Sequence, residues 1–494
     1  MLFLGIDVGS SSVKLSLLDG DTGRPVASAQ YPDTELTIDS RAPGWAEQEP
    51  EVWWNSFVHG SRMLFANVDS KRLRGIGISY QMHGLVTVDR QLKTVRPAII
   101  WCDSRAVDCG EQAFTQLGPE YCFQHLLNSP GNFTAAKLRW VQHHEPDTFA
   151  RIHKAMLPGD YIAMRLSGEV TTTACGLSEG ALWDFQRRSV AQQLLQHWQI
   201  DSSLIPRIVP SIGVQSEVCS AAAAELGLPV GTPIAYRCGD QPNNAFSLKV
   251  LEPGEVATTA GTSGVIYGVT DQQTVDRDCR VNTFLHVTDT VEAPRNGVLM
   301  CVNGTGRAYS WLRQLLASGT DGQAGAYEHL NRLAASVPVG SDGLICHPFG
   351  NGAERIFQNR NLGAQILNLD LNRHGLGHVA RATQEGIVFA LNRGFELLKS
   401  LIGECRIVRA GNGNMFRSEV FTEAFANTTG AVLELYQTDG SEGAARGAAL
   451  GVRHFGSAAE AFSGLKRLAV VEPAPGVADR YQAAYQRWSE RLPV

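Results

Sequence analysis

Two carboxylates and two hydroxyl-rich turns hold most of the chemistry that this sequence can perform. Asp240 follows Gly239 at the end of an apolar run through Ile234, Ala235 and Tyr236. Beyond it a strand pattern, Val256-Ala257-Thr258-Thr259, breaks into Gly261-Thr262-Ser263-Gly264 and resumes as Val265-Ile266-Tyr267. A strand that reverses on Gly-Thr-Ser-Gly gathers backbone N–H groups and hydroxyls in a small volume, which suits a phosphate. The N-terminus uses the same device: Leu2 to Ile6, the turn Asp7-Val8-Gly9-Ser10-Ser11-Ser12, then Val13 to Leu18. Phosphoryl transfer from ATP requires such donors, a carboxylate shell for Mg²⁺ and a base beside the acceptor hydroxyl. Asp7 suits the metal, through water, because Mg²⁺ keeps much of its hydration. Asp240 suits the base and can share the metal. Gly261 and Thr262, with Ser10 and Ser11 of the first turn, suit nucleotide phosphates. Gly411 and Asn412, after the strand Ile407-Val408, let adenine or ribose approach the backbone closely. Plainer alternatives stay open: Asp240 as a helix cap, Asp7 as a turn residue, and both turns as ordinary hairpins.

The elements that must position these residues are α/β in kind. Met1 to Asp19 reads as a hairpin, and Arg24 to Tyr31 adds a third antiparallel strand. A helix follows with Pro50 in its first turn and Val52, Trp53, Phe57 and Leu64 inward. Ile76-Gly77-Ile78-Ser79 is a short buried strand that runs into Tyr80-Gln81-Met82-His83-Gly84, and Ala98 to Trp101 is another that ends on Cys102-Asp103-Ser104-Arg105. Apolar strands that end on polar clusters match the way open α/β sheets place ligands. Helices are expected over Thr134 to Glu145, Ala181 to Ile212, Asn243 to Lys249, Arg307 to Leu316, Tyr327 to Ser336 and Val379 to Leu401. Ser441 caps a small-residue helix, and an amphipathic tail closes the chain. Two similar hairpins, each opening half of the chain, suggest an internal duplication with a cleft.

Composition narrows the function classes. The chain has 494 residues, 44% of them hydrophobic, enough for two or three domains with their own cores. A net charge of −6 with no long block of one sign argues against a nucleic-acid or anionic-membrane partner. The ten cysteines show no Cys-x-x-Cys spacing and read as reduced, buried thiols. Asp7 interrupts the N-terminal apolar run, so no signal peptide is expected, and no window is apolar enough to span a membrane; a cytoplasmic protein is expected. The usual P-loop, Gly-x-Gly-x-x-Gly, His-Glu-x-x-His and Gly-x-Ser-x-Gly patterns are absent.

Taken in order, Gly5-Ile6-Asp7-Val8-Gly9-Ser10-Ser11-Ser12-Val13-Lys14, Gln81-Met82-His83-Gly84, Trp101-Cys102-Asp103-Ser104-Arg105, Gly239-Asp240, Gly261-Thr262-Ser263-Gly264, Asn351-Gly352-Ala353-Glu354-Arg355 and Gly411 to Asn414 resemble the FGGY carbohydrate kinases. The likeness covers nearly the whole chain, and the xylulokinase branch is the most similar. It implies an actin-like ATPase fold of two RNase H-like domains, residues 1–247 and 248–494, with a nucleotide and sugar cleft between them. It implies ATP, Mg²⁺ and a small sugar as partners, and a homodimer is compatible with it. Met82 and His83 would hold the sugar, with Asp240, Gln241 and Trp101 beside them. The implied reaction converts D-xylulose to D-xylulose 5-phosphate; other acceptors are ribulose, glycerol and gluconate, and a non-kinase actin-fold ATPase is a further reading. Two departures stand out. Gln241 occupies a place where xylulokinases often carry Asn, and Met415-Phe416 look like an insertion after Asn412 and Asn414. Asp103 and Arg105 read as an ion pair lining the cleft, Glu354 and Arg355 as loop-ordering residues, and Lys14 as a phosphate contact or a solvated lysine.

Overall fold

Glycines at the centre of two strands decide how the first sheet is packed. The computed structural model describes residues 1–317 and 325–493, which form two units. The first holds Met1–Lys249, Thr283–Asn296 and Thr438–Leu465; the second holds Val250–Asn282, Gly297–Gln437 and Lys466–Val494. The break expected after residue 247 therefore falls at 249/250, but neither half is unbroken. Residues 438–465 join the first unit because the small-residue helix Gly440–Gly451 lies directly on its sheet. A Cβ on Gly5 would collide with the Ser441 carbonyl, and one on Gly77 with the Ala444 carbonyl. Gly447 and Gly451 make the reciprocal approach to Tyr236 and Ala235. Only glycine permits backbone contact this close.

The first sheet has six strands in the order 212–217, 233–239, 73–80, 2–8, 13–19 and 24–31. Strands Leu2–Val8, Leu73–Tyr80 and Pro233–Gly239 run parallel, with Val8 and Gly239 both in register with Tyr80. Their carboxyl ends thus share one edge. The expected N-terminal hairpin and third antiparallel strand form as read. Helix Pro50–Phe65 begins on its proline and buries Trp53, Trp54 and Phe57 in the core of this unit, each such side chain contributing about 1.5–3 kcal/mol.

The second sheet has seven strands in the order 282–285, 296–302, 264–270, 256–260, 407–411, 432–437 and 466–471. It follows the same plan: an antiparallel hairpin, Val256–Ala260 with Gly264–Thr270, then parallel strands Ile407–Gly411 and Val432–Gln437 beside it. The longest helix, Leu376–Ile402, buries Ile387, Leu391, Phe395 and Leu398 in the core of this unit. The duplication expected from the hairpins is present in the sheets themselves.

Two readings need correction. Residues 181–212 are not mainly helical; they form the hairpin Trp183–Asp184 with Ser189–Val190, the short helix Gln192–His197, and the strand Arg207–Val209. Asp184 accepts N–H bonds from Gln186 and Arg187, and Arg188 sits at φ +48°, so the backbone is turned out of the helical path. The cap of helix Gly440–Gly451 is Asp439, whose carboxylate accepts from the Glu442 N–H; Ser441 lies inside the helix and pairs with Ser16. Among the described residues, no helix is long and apolar enough to cross a membrane.

Candidate active site

The three parallel strands of the first unit each end on a residue with chemistry. Asp7 stands at the end of Leu2–Val8, in register with Ser79, whose hydroxyl donates to its Oδ1 at 2.8 Å. Gln81, Met82 and His83 follow Leu73–Tyr80, and Asp240 follows Pro233–Gly239 as the first residue of helix Asp240–Ser247. A Cβ on Gly239 would approach Met82 Cγ to 2.6 Å and Glu179 Oε1 to 3.0 Å, so the base candidate is held tightly against the Met-His segment.

Electrostatics single out the carboxylates. Burial, and then the neighbouring charge of Asp7, push Asp240 up to about 7, while hydrogen bonding with Gln241 favours the ionised form. Asp7 is itself raised by burial, with the Ser79 bond and Lys14 opposing and Asp439 adding to the rise. Like charges crowded out of water behave in this way until a cation joins them. Among the described residues no group of three or more His, Cys, Asp and Glu side chains forms a protein-only metal cage. Mg²⁺ is commonly held by one or two carboxylates and keeps several of its waters. The donor chemistry of Asp7 and Asp240 fits it.

His83 is unusual. Its backbone is left-handed, φ +61°, a region that few non-glycine residues occupy, although Asn, Asp and His do so more often than the rest. Its ring packs against Phe133 at 4.8 Å and Phe284 at 5.5 Å between centroids. Nδ1 donates to the carbonyl oxygen of Glu179 at 2.8 Å, which fixes the orientation of the ring. Trp101, half exposed, donates its indole N–H to Ser10 Oγ at 3.3 Å and so ties two candidate residues together. Ser11 serves the fold through its carbonyl, which accepts from Leu36. Asp103 and Arg105 are a fully buried ion pair extended to Glu47, with the guanidinium 3.7 Å over the Trp45 ring. That is a structural role.

The second unit supplies a cavity of about 500 Å³, within the range that binds a cofactor-sized ligand. Gly261 and Thr262 form part of its wall, with Tyr309, Tyr327, Asn331 and Arg417. The carbonyls of Gly261 and Thr262 accept from the N–H groups of Gly306 and Arg307, at the start of helix Thr305–Ala317. Lone pairs that would repel a phosphate are thereby turned onto the helix. Gly411 and Asn412 lead to this cavity without lining it. Gly411 ends its strand, the Asn412 N–H is used by Tyr436, and the wall is made by Gly413, Asn414 and Met415. Met415-Phe416 is thus a working part of the site's frame: Phe416 is buried against Phe421 and Phe425 while Met415 faces the cavity. Glu354 accepts from the N–H groups of Asn303 and Gly304, ordering the loop before the same helix.

Sequence reasoning missed Glu179, Lys137 and most of the cavity wall. Glu179 and Lys137 carry no local signal, because their backbone partners lie 96 and 54 residues away along the chain. Tyr309, Tyr327 and Asn331 carry no motif.

With the geometry in view, known proteins bear on the chain as follows. The profile of the N-terminal domain of the FGGY family of carbohydrate kinases matches residues 2–247, and that of the C-terminal domain matches residues 256–451. The chain is 28% identical over 451 residues to the xylulose kinase of Escherichia coli (strain K12), covering 91% of this chain and 89% of that one. The crystal structure of xylulose kinase from Rhodospirillum rubrum superposes with a TM-score of 0.86 at 26% identity, over 99% of this chain and 98% of that chain. Gluconate kinase from Lactobacillus acidophilus shares the fold, with a TM-score of 0.88 at 21% identity over 99% and 97% of the two chains.

Proposed function

The chain belongs to the FGGY family of carbohydrate kinases, and from that premise we propose that its acceptor is a ketopentose, D-xylulose, which it converts to D-xylulose 5-phosphate with Asp240 as general base. The observation that carries this reading is the Met82-His83 pair packed against Gly239, the residue before Asp240, with the His83 ring held by its Nδ1 bond to the Glu179 carbonyl. An apolar thioether and an imidazole can lie along a sugar's carbon chain and read its hydroxyls. Asp240 takes the proton of the terminal hydroxyl as that oxygen bonds to the γ-phosphorus and the bond to the ADP oxygen breaks. The raised pKa of Asp240, about 7, sets it near neutrality, where a carboxylate is a stronger base than in water. Asp7 and Asp240 would hold Mg²⁺, which when bound neutralises charge on the phosphates. Gly261, Thr262 and the cavity beside them would receive the nucleotide.

The names of the relatives at 28% and 26% identity favour xylulose. Gln241 favours a different acceptor such as glycerol. A pocket built for a pentulose leaves polar groups unpaired around a triol, at about 1–3 kcal/mol each, or roughly ten- to a hundredfold per lost contact. ADP release measured over D-xylulose, D-ribulose, gluconate and glycerol tests the reading. D-xylulose should give the highest kcat/KM and glycerol a poor one; glycerol or gluconate far ahead would overturn it.

A further inference from the structure

Two fully buried ionisable side chains that the proposed chemistry does not use converge on the backbone of a single residue, His83. Glu179 Oε2 accepts its N–H at 3.0 Å, and Lys137 Nζ donates to its carbonyl at 2.8 Å. The two residues come from separate places: Glu179 from the end of helix Ala174–Glu179, Lys137 from helix Thr134–His144. Lys137 donates also to the Ile100 carbonyl at 3.1 Å, so one ammonium joins the segment before Trp101 to the Met-His segment. Phe133, just before the same helix, packs on the His83 ring.

Burial is expensive for both groups. Glu179 is 1% exposed and Lys137 is 0% exposed. Burial raises the Glu179 carboxyl well above its usual range and lowers the Lys137 ammonium to about 7. Apolar residues would fill these positions more cheaply if packing were the only need. What the polar groups add is one residue's backbone held at both its N–H and its carbonyl, in a left-handed conformation, φ +61°, that non-glycine residues adopt infrequently. Glu179 acts a second time through its own carbonyl, which accepts from His83 Nδ1 and fixes the ring's orientation.

We propose that Glu179 and Lys137 are positioning residues for the acceptor: they clamp the His83 backbone on both sides of its Cα and so fix where its imidazole meets the sugar's hydroxyls. The clamp rests on the reading of His83 as a sugar contact. It makes sugar selectivity depend on two residues that touch no sugar, and it assigns no part of nucleotide binding to them.

The test is steady-state kinetics of the full chain with D-xylulose and ATP varied separately. Glu179→Ala and Lys137→Met should each raise the KM for D-xylulose about ten- to a hundredfold, with the KM for ATP within about twofold of wild type. Glu179→Gln, whose amide oxygen can accept the His83 N–H, should recover most of the loss. In a His83→Ala background, adding Glu179→Ala or Lys137→Met should change the KM for D-xylulose by less than about twofold, because the positioned ring is gone. Effects that multiply in that background, or an unchanged KM in the single variants, would overturn the clamp while leaving the sugar contact intact. If His83→Ala itself leaves the KM of every sugar in the panel unchanged, the sugar-contact reading fails and the clamp with it. Lys137→Met, close to lysine in length, carries the test alone where Glu179→Ala does not fold.

Discussion

In the first unit the turn of the leading hairpin is preceded by Asp7, half-buried near the end of its strand; the charge of Asp439 raises its carboxyl, and its own charge raises that of Asp240. In the second unit the matching turn is Gly261–Gly264, and it borders a cavity walled by tyrosine, asparagine and arginine side chains. The sheets behind the two turns follow one plan, an antiparallel hairpin with parallel strands beside it. One plan therefore supports two kinds of site. The first crowds carboxylates out of water, which strains their ionisation and prepares them for a cation and a proton. The second offers space and dipoles and carries no comparable cluster of buried acids at its turn. The raised carboxyls of Asp7 and Asp240 lie in the first unit, and their cost to stability should be found there.

The largest expected effect breaks that contrast at Asp240. Asp240→Asn should lower kcat by about 10² to 10⁴, as the loss of a general base does, with ATP binding little changed. It should also stabilise the protein. A carboxyl whose folded pKa, about 7, lies above its ordinary 3.8 contributes its full stability below the ordinary value and loses it as pH rises toward 7. Replacing it by a neutral isostere removes that loss, by on the order of 1–3 kcal/mol at pH 7.5. Thermal melts of the two proteins at pH 5 and pH 7.5 check this: the gain should be present at the higher pH and shrink at the lower.

Strain at the sheet comes next. Gly77→Ala puts a methyl against the Ala444 carbonyl and should cost about 1–3 kcal/mol of stability through overpacking. Gly261→Ala meets Asn414 Nδ2 at 3.4 Å and the Ser263 carbonyl oxygen at 3.8 Å, both ordinary contacts, and should leave the melting temperature unchanged while raising the KM for ATP. Equal destabilisation by both would show that Gly261 is a packing position like Gly77.

The smaller effects concern pH and a single hydroxyl. The acid limb of kcat/KM should follow Asp240, falling tenfold per unit below its pKa. Asp7→Asn, by removing the like charge, should move that limb to lower pH in the residual activity. Thr262→Val should raise the KM for ATP by about two- to tenfold, the worth of one hydrogen bond.

How much of this was legible depends on how local each signal is. Both hairpins, the helix starting at Pro50 and the long helix ending at Ile402 announce themselves through alternation, proline placement and helical periodicity within a few residues. The Asp7, Met82-His83 and Asp240 set was readable because each follows an apolar strand, and parallel register then brings the strand ends to one edge. The segment 181–212 misled because its apolar spacing fits a helix, while Asp184 side-chain bonds and the left-handed Arg188 impose a turn that spacing does not encode. Glu179 and Lys137 were invisible for another reason: their partners are backbone atoms 96 and 54 residues away in the chain. Gly411 and Asn412 were placed one step early, since the strand continues through Gly411 before the chain turns into the cavity wall.

The central claim is a division of labour, with the acceptor read by the first unit and the nucleotide by the second. The most direct measurement is a paired kinetic matrix of His83→Ala and Gly261→Ala, each with D-xylulose and ATP varied independently. His83→Ala should raise the KM for D-xylulose by about tenfold or more and leave that for ATP within about twofold, and Gly261→Ala should do the reverse. If either variant shifts both constants equally, or if His83→Ala affects ATP and not the sugar, the division is contradicted.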